Sequence, residues 1–168
     1  MAKKRTENST KSTKAEANSV DVSTIDSVIK TFYESVSFKI GKQPDYIRFR
    51  TLFRSEALLI PPKAEKIFSQ SILDVELFVK ISVENIVLNG LERRGSIVSE
   101  IARRMLSFGN IVHIFSTFEI RNKDDDPKPI QRGIYSVQLI REDHRWWIVS
   151  LMWEHERSEL PLPRAYLV

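Results

Sequence analysis

Between Ile97 and Glu154 the chain runs through four extended segments, SIVSEIARRML, NIVHIFSTFEIR, RGIYSVQLI and RWWIVSLMWE, with short breaks between them. The last three are dense in the β-branched and aromatic residues that suit a pleated, half-buried surface. Segments of this length in such close succession predict a meander of long antiparallel strands. SFGN at Ser107–Asn110 reads as the tight turn between the first two strands and EDH at Glu142–His144 as the turn between the last two, while NKDDDPKPIQ is a longer polar connection. A sheet of that size needs a cover for its apolar face. The upstream half reads as helices able to supply it, so the expected fold class is α+β with segregated elements.

Ser23, followed three residues later by Asp26, resembles a capping box, and Ile25, Val28, Ile29, Phe32 and Val36 then recur at helical spacing. After Gly41 and Pro44, the residues Tyr46, Phe49 and Phe53 form a second, shorter helical stripe. EALLI, stopped by Pro61 and Pro62, is a candidate strand. A third helix is predicted over about Asp74–Leu88, turning Val75, Phe78, Val79, Ser82 and Ile86 toward the sheet and ending at Asn89 and Gly90. Up to about Asn18 the chain has no large apolar residue after Met1, too little to offset the entropy of ordering it. Residues 1–22 are therefore expected to be a disordered basic tail and 23–168 a single domain. At the other end Pro161, Leu162, Pro163, Tyr166 and Leu167 are apolar enough to fold back onto the body.

Several function classes drop out on composition. There is no cysteine, hence no disulfide framework and no thiolate chemistry. No two histidines share a ligand spacing, and Asp124, Asp125 and Asp126 lack the alternation and distal Glu of a calcium loop, so no metal is expected. Five glycines assemble neither a phosphate-binding loop nor a nucleophile elbow, and no cofactor is expected. Part of the +4 formal charge sits in the first residues, at Lys3, Lys4, Arg5, Lys11 and Lys14, with no aromatic residue among them for base stacking. A nucleic-acid partner would need Arg93, Arg94, Arg103 and Arg104 to share one surface with that tail, and none is expected. No apolar run approaches membrane-spanning length and no apolar segment follows the first lysines, so no membrane partner and a cytoplasmic location are expected.

The order helix, short helix, short strand, long helix and strand meander resembles the nuclear transport factor 2-like superfamily, the cystatin-like cone shared with ketosteroid isomerase, scytalone dehydratase and SnoaL-like cyclases. The resemblance is most specific in EIARRMLSFGNIVHIFSTFEIR, RGIYSVQLI, RWWIVSLMWEHE and LPLPRAYL, which are similar to segments of a bacterial branch of that superfamily. It implies a strongly bent sheet wrapped around the long helix, a cavity at the open end of the cone, and often a homodimer through the convex face. Where ketosteroid isomerases place a base carboxylate, at the end of the first strand, this chain has Pro61 and Pro62. Of the histidine pair in scytalone dehydratase only His113 has a well-placed counterpart.

Strand alternation then assigns faces. With Leu139 opposite Trp147, the residues Tyr135, Val137, Leu139, Trp147, Val149, Leu151 and Trp153 share the concave side, and Ile134, Ser136, Gln138, Trp146, Ile148, Ser150, Met152 and Glu154 the convex side. The latter is assigned to a subunit interface. The same register turns His113, Phe115, Thr117 and Glu119 into the cavity. Opposite them lie either Glu100, Ala102 and Arg104 or Ser99, Ile101 and Arg103, the first set being preferred. The candidate catalytic group is therefore His113, Glu100, Arg104 and Tyr33, with Glu34 as another partner from the first helix. Phe32, Phe115, Thr117, Tyr135 and Trp153 are the candidate ligand-binding residues. The expectation is a homodimer binding a small hydrophobic organic ligand, with chemistry bounded to cofactor-independent isomerisation or dehydration. The alternative is a non-catalytic dimeric protein-interaction module.

Overall fold

The structure, a computed structural model, describes residues 16–168. Helices α1 (Ser19–Val22), α2 (Ile25–Val36) and α3 (Tyr46–Arg50) precede strand β1 (Phe53–Ile60). Helix α4 (Val75–Leu88) follows, then β2 (Ile97–Phe108), β3 (Ile111–Arg121), β4 (Gln131–Glu142) and β5 (Arg145–His155). The sheet order is β1-β5-β4-β3-β2, antiparallel except that β1 runs parallel to β5. Two hairpins set the meander. Gly109, with φ +56°, and Asn110 join β2 to β3, whose pairing closes at Phe108 opposite Ile111. Asp143 and His144, both at positive φ, join β4 to β5 in the doubly left-handed geometry that matches strand twist.

Two single-residue bulges and one larger register shift bend this sheet. Ile101 is extra in β2, Val149 is extra in β5, and the register of β1 against β5 shifts between Phe53 and Leu58. Each bulge kinks its strand and increases the local twist, which curls the sheet over the helices. The core lies on the concave side, with Phe49, Leu52, Phe53, Leu59, Phe118, Ile114, Leu139, Ile148 and Leu151 almost wholly buried.

The helices largely follow their predicted stripes, with local differences. The reciprocal cap of α2 forms one residue later than Ser23–Asp26: Thr24 Oγ1 accepts from Ser27 N, and Ser27 Oγ accepts from Thr24 N. Phe53 opens β1 rather than ending α3, because Thr51 already closes that helix. Gly90, at φ +58°, supplies the left-handed residue after α4.

The tail boundary also moves. Asp21 and Val22 are buried, so the folded part begins before Ser23, and the rest of the tail expectation, residues 1–15, lies outside the described residues. What anchors α1 is Arg48, whose Nε and Nη2 each approach Asp21 at 2.8 Å while Nη1 reaches Glu34 at 2.8 Å. Hydrogen bonding to that guanidinium holds the Asp21 carboxyl below the usual carboxylate range. A depressed pKa contributes stability above the ordinary carboxylate pKa that is lost as the pH falls. Asp21→Asn should cost about 1–2 kcal/mol at neutral pH, allowing for solvent around Arg48. In urea titrations the variant should also lose less stability than the native chain between about pH 5 and pH 3.

Candidate functional site

The strands place the predicted site residues on two different faces. On β3, Val112, Ile114, Ser116 and Phe118 pair with Leu139, Val137, Tyr135 and Gly133 and point into the cone. His113, Phe115 and Thr117 pair with Gln138, Ser136 and Ile134 and lie on the convex side. The expectation that His113, Phe115, Thr117 and Glu119 face the cavity is overturned. Odd-numbered positions of β3 oppose even-numbered positions of β4, which reverses their sides. Thr117 is buried instead by the C-terminal segment, its hydroxyl donating to Tyr166 O at 2.6 Å, while Phe115 meets the Tyr166 ring edge-on. His113 Nε2 bonds Ser136 Oγ at 3.0 Å.

The bulges redistribute the remaining residues. With Ile101 extra, Glu100 pairs with Phe118 and Arg103 with Ser116, both concave, whereas Arg104 pairs with Phe115 and is convex. Arg104 donates to Ala165 O and lies over the Tyr166 ring, so the preferred set of Glu100, Ala102 and Arg104 does not form. With Val149 extra, Trp146 and Ile148 turn inward and are buried, and Trp147 moves outward opposite Ile140. Both tryptophan assignments are thereby exchanged. Tyr135, Val137, Leu139, Leu151 and Trp153 keep the concave side.

Two polar clusters result on the concave side. In the first, a chain from the buried Tyr33 and Ser116 to the partly buried Glu100 joins α2 to the sheet. Ser116 Oγ donates to Glu100 Oε1, leaving Tyr33 to donate to Ser116 at 2.7 Å. Arg103 forks onto Glu100 at 2.8 and 2.6 Å and reaches Asp26 at 2.5 Å. Burial pushes the Tyr33 phenol well above its ordinary value, keeping it neutral. The cluster floors a groove of about 700 Å³ between α2 and β2. Its hydrogen bonds are closed on one another, the mark of a structural network more than of a reacting site. Glu34 takes no part, being held by Arg48.

The second cluster lies where the cone is covered by residues 61–74. Pro61 and Pro62 are buried, and a bridge between Leu59 and Leu73 closes the base of this segment. Two of its side chains turn inward. Phe68 stacks on Phe78 at 5.7 Å and meets Trp153 edge-on at 5.7 Å. Glu65 Oε2 accepts from Trp153 Nε1 at 2.6 Å and lies 3.3 Å from His155 Nε2. His155 Nδ1 is buried with no hydrogen-bond partner among the described residues.

Around this cluster the aromatic rings form two tiers. Phe32, Phe49 and Phe118 are buried, whereas Tyr46, Phe68, Phe78, Tyr135 and Trp153 are half-buried and converge from α3, the covering segment, α4, β4 and β5. The tiers touch ring to ring, Phe118 lying 4.3 Å from Tyr135 and Phe49 5.4 Å from Phe78. Burial raises the Tyr135 and Tyr46 phenols above their ordinary values, so both remain neutral hydroxyls. Of the sequence candidates, Phe32, Tyr135 and Trp153 belong here. Glu65, His155, Phe68 and Tyr46 were not among them, although His155 follows Trp153 by two and so shares its face by alternation.

No family model matches the sequence, and no curated protein matches it significantly. Solved structures do. A protein of unknown function with a cystatin-like fold from Nostoc punctiforme is 13% identical with a TM-score of 0.59, over 85% of this chain and 96% of that one. An NTF2-like protein of unknown function from Shewanella baltica is 14% identical at a TM-score of 0.51, over 80% and 92%. The hexachlorocyclohexane dehydrochlorinase LinA-type3 from Novosphingobium barchaimii is 14% identical at 0.55, over 82% and 93%. The chain therefore has the nuclear transport factor 2-like, cystatin-like fold. At such identities the likeness carries the fold and no activity. No helix among the described residues is long and apolar enough to cross a membrane.

Proposed function

We propose that the protein binds a small hydrophobic organic molecule inside the cone, beneath residues 61–74. The observation that carries this reading is the tier of half-buried rings, Tyr46, Phe68, Phe78, Tyr135 and Trp153, converging with Glu65 and His155. An apolar enclosure with a few convergent polar groups is the usual form of a small-molecule site. In that interior the groups able to exchange a proton with a ligand are Glu65 and His155, and His113 cannot reach it. Native mass spectrometry followed by denaturing extraction tests the reading. A stoichiometric organic molecule supports it. A ligand-free protein that also ignores a panel of aromatic probes would sink it and leave the non-catalytic interaction module.

A second copy on the convex face is the accompanying reading, favoured by apolar residues left in solvent there. Leu106, Phe108, Ile111 and Met152 are exposed, and a largely apolar hollow of about 380 Å³ lies beside them, lined by His113, Ile140 and Val149 among others. On β4 and β5 the middle of this face, at Ser136, Gln138 and Ser150, is uncharged, Arg104 on β2 lies level with Ser136, and Glu119, Arg132 and Glu154 of both signs lie toward one end of the strands. Such a surface can meet itself across a two-fold axis without like charges opposing. The expected result is a dimer at micromolar concentration by light scattering, converted to a folded monomer by the double change Ile111→Glu and Met152→Glu. A monomeric native protein would remove this interface.

A further inference from the structure

We propose, resting on the reading of the interior as a ligand pocket, that its ligand is an organic cation, a quaternary ammonium or protonated amine carried on a small apolar body. The first ground is the state of Glu65. Trp153 Nε1 and His155 Nε2 both approach its Oε2, and among the described residues Oε1 accepts no hydrogen bond. No Lys or Arg among the described residues stands at ion-pair distance from this carboxylate, whose side chain is 26% exposed. A half-buried carboxylate with one oxygen uncommitted favours an incoming positive charge more strongly than the same group in water does.

The second ground is the arrangement of the rings beside it. Trp153 stands at 81° to both Phe68 and Phe78, at centroid distances of 5.7 and 5.9 Å, while Phe68 and Phe78 stack within 15° of each other. The three rings pack on one another, stacked and edge to face, on the outer side of the core cluster. Their faces carry the negative lobes of the ring quadrupoles, which attract a cation and do nothing for a neutral ligand of the same shape. Tyr46 and Tyr135 add neutral hydroxyl oxygens. The basic residues of the covering segment, Lys63 and Lys66, are exposed, as is Lys80 on α4. Among the described residues His155 is the one basic side chain in contact with Glu65, and it lies on Oε2, leaving Oε1 for the ligand.

The test compares two molecules of one shape: benzyltrimethylammonium and its neutral carbon isostere, neopentylbenzene. Binding is followed at the Trp153 indole N–H resonance, assigned by its loss in Trp153→Phe. The cation is expected to bind at least tenfold more tightly than the isostere. Glu65→Gln, which can still accept from Trp153, should lower that ratio severalfold. Equal affinities in the native protein, or a ratio untouched by Glu65→Gln, overturn the assignment of charge while the pocket stands. Binding of neither molecule overturns the assignment and the pocket together.

Discussion

Replacing Gly133 by alanine should lower the unfolding free energy by about 3 kcal/mol, and valine there should prevent folding at ambient temperature. Gly133 sits in β4 between Phe118 of β3 and His155 of β5. A Cβ on it would stand 2.3 Å from Glu154 O and 2.6 Å from Phe118 Cζ. One neighbour is strand backbone and the other a ring already packed against Tyr135, so neither can yield without opening the sheet or the aromatic tier. The contrast is Gly109, whose φ of +56° disfavours alanine but whose surroundings are open. Gly109→Ala should cost only about 1 kcal/mol. Urea unfolding of the two variants decides it: similar losses would mean that the close approach of Phe118 to β4 is not what fixes Gly133.

The difference between these glycines reflects what a sequence makes legible. Turns and strand extents are local properties, and the breaks at Gly109–Asn110 and Asp143–His144 fall where SFGN and EDH point. Which way a side chain faces is not local. One extra residue at Ile101 puts Glu100 on the same side as Arg103 rather than Arg104, and one at Val149 puts Trp153 on the same side as Trp146 rather than Trp147. Neither bulge is marked by a glycine or proline. The placement of His113 failed for a related reason. A two-residue turn fixes the parity of the strands that it joins, but β3 and β4 are joined through residues 122–130, and a connection of that length leaves parity free.

The candidate site divides along the same line. Phe32, Tyr135 and Trp153 were within reach of helical and strand periodicity. Glu65 and Phe68 lie in an irregular segment, where periodicity is silent. The remaining signal was compositional: Ile67 and Phe68 interrupt an otherwise polar run after Pro61 and Pro62. An apolar pair in such a run points to a docked segment, but not to what it docks on. Parallel pairing of β1 with β5, which brings the start of this segment beside Trp153, depends on contacts some ninety residues apart in sequence.

That docking gives the second large effect, a change in local opening rather than in global stability. Trp153 holds the covering segment in two ways, by the indole N–H that it donates to Glu65 and by its ring, which meets Phe68 and Phe78. Trp153→Ala removes both. A loss of about 3 kcal/mol, that of a large ring in a partly open site, would raise the open population of the segment roughly a hundredfold. Lys63 and Lys66 are exposed on it, and cleavage of a transiently opened segment tracks the population of the open form. Trypsin should therefore cut after these two lysines about a hundredfold faster in Trp153→Ala, and about tenfold faster in Trp153→Phe, which keeps a ring but loses the donor. Fragment masses identify the cuts, and a urea transition on the same samples separates local from global opening. Unchanged cleavage at Lys63 and Lys66 in both variants would show that residues 61–74 are held by their buried prolines and the Leu59–Leu73 bridge, and that access to the interior is not controlled by Trp153.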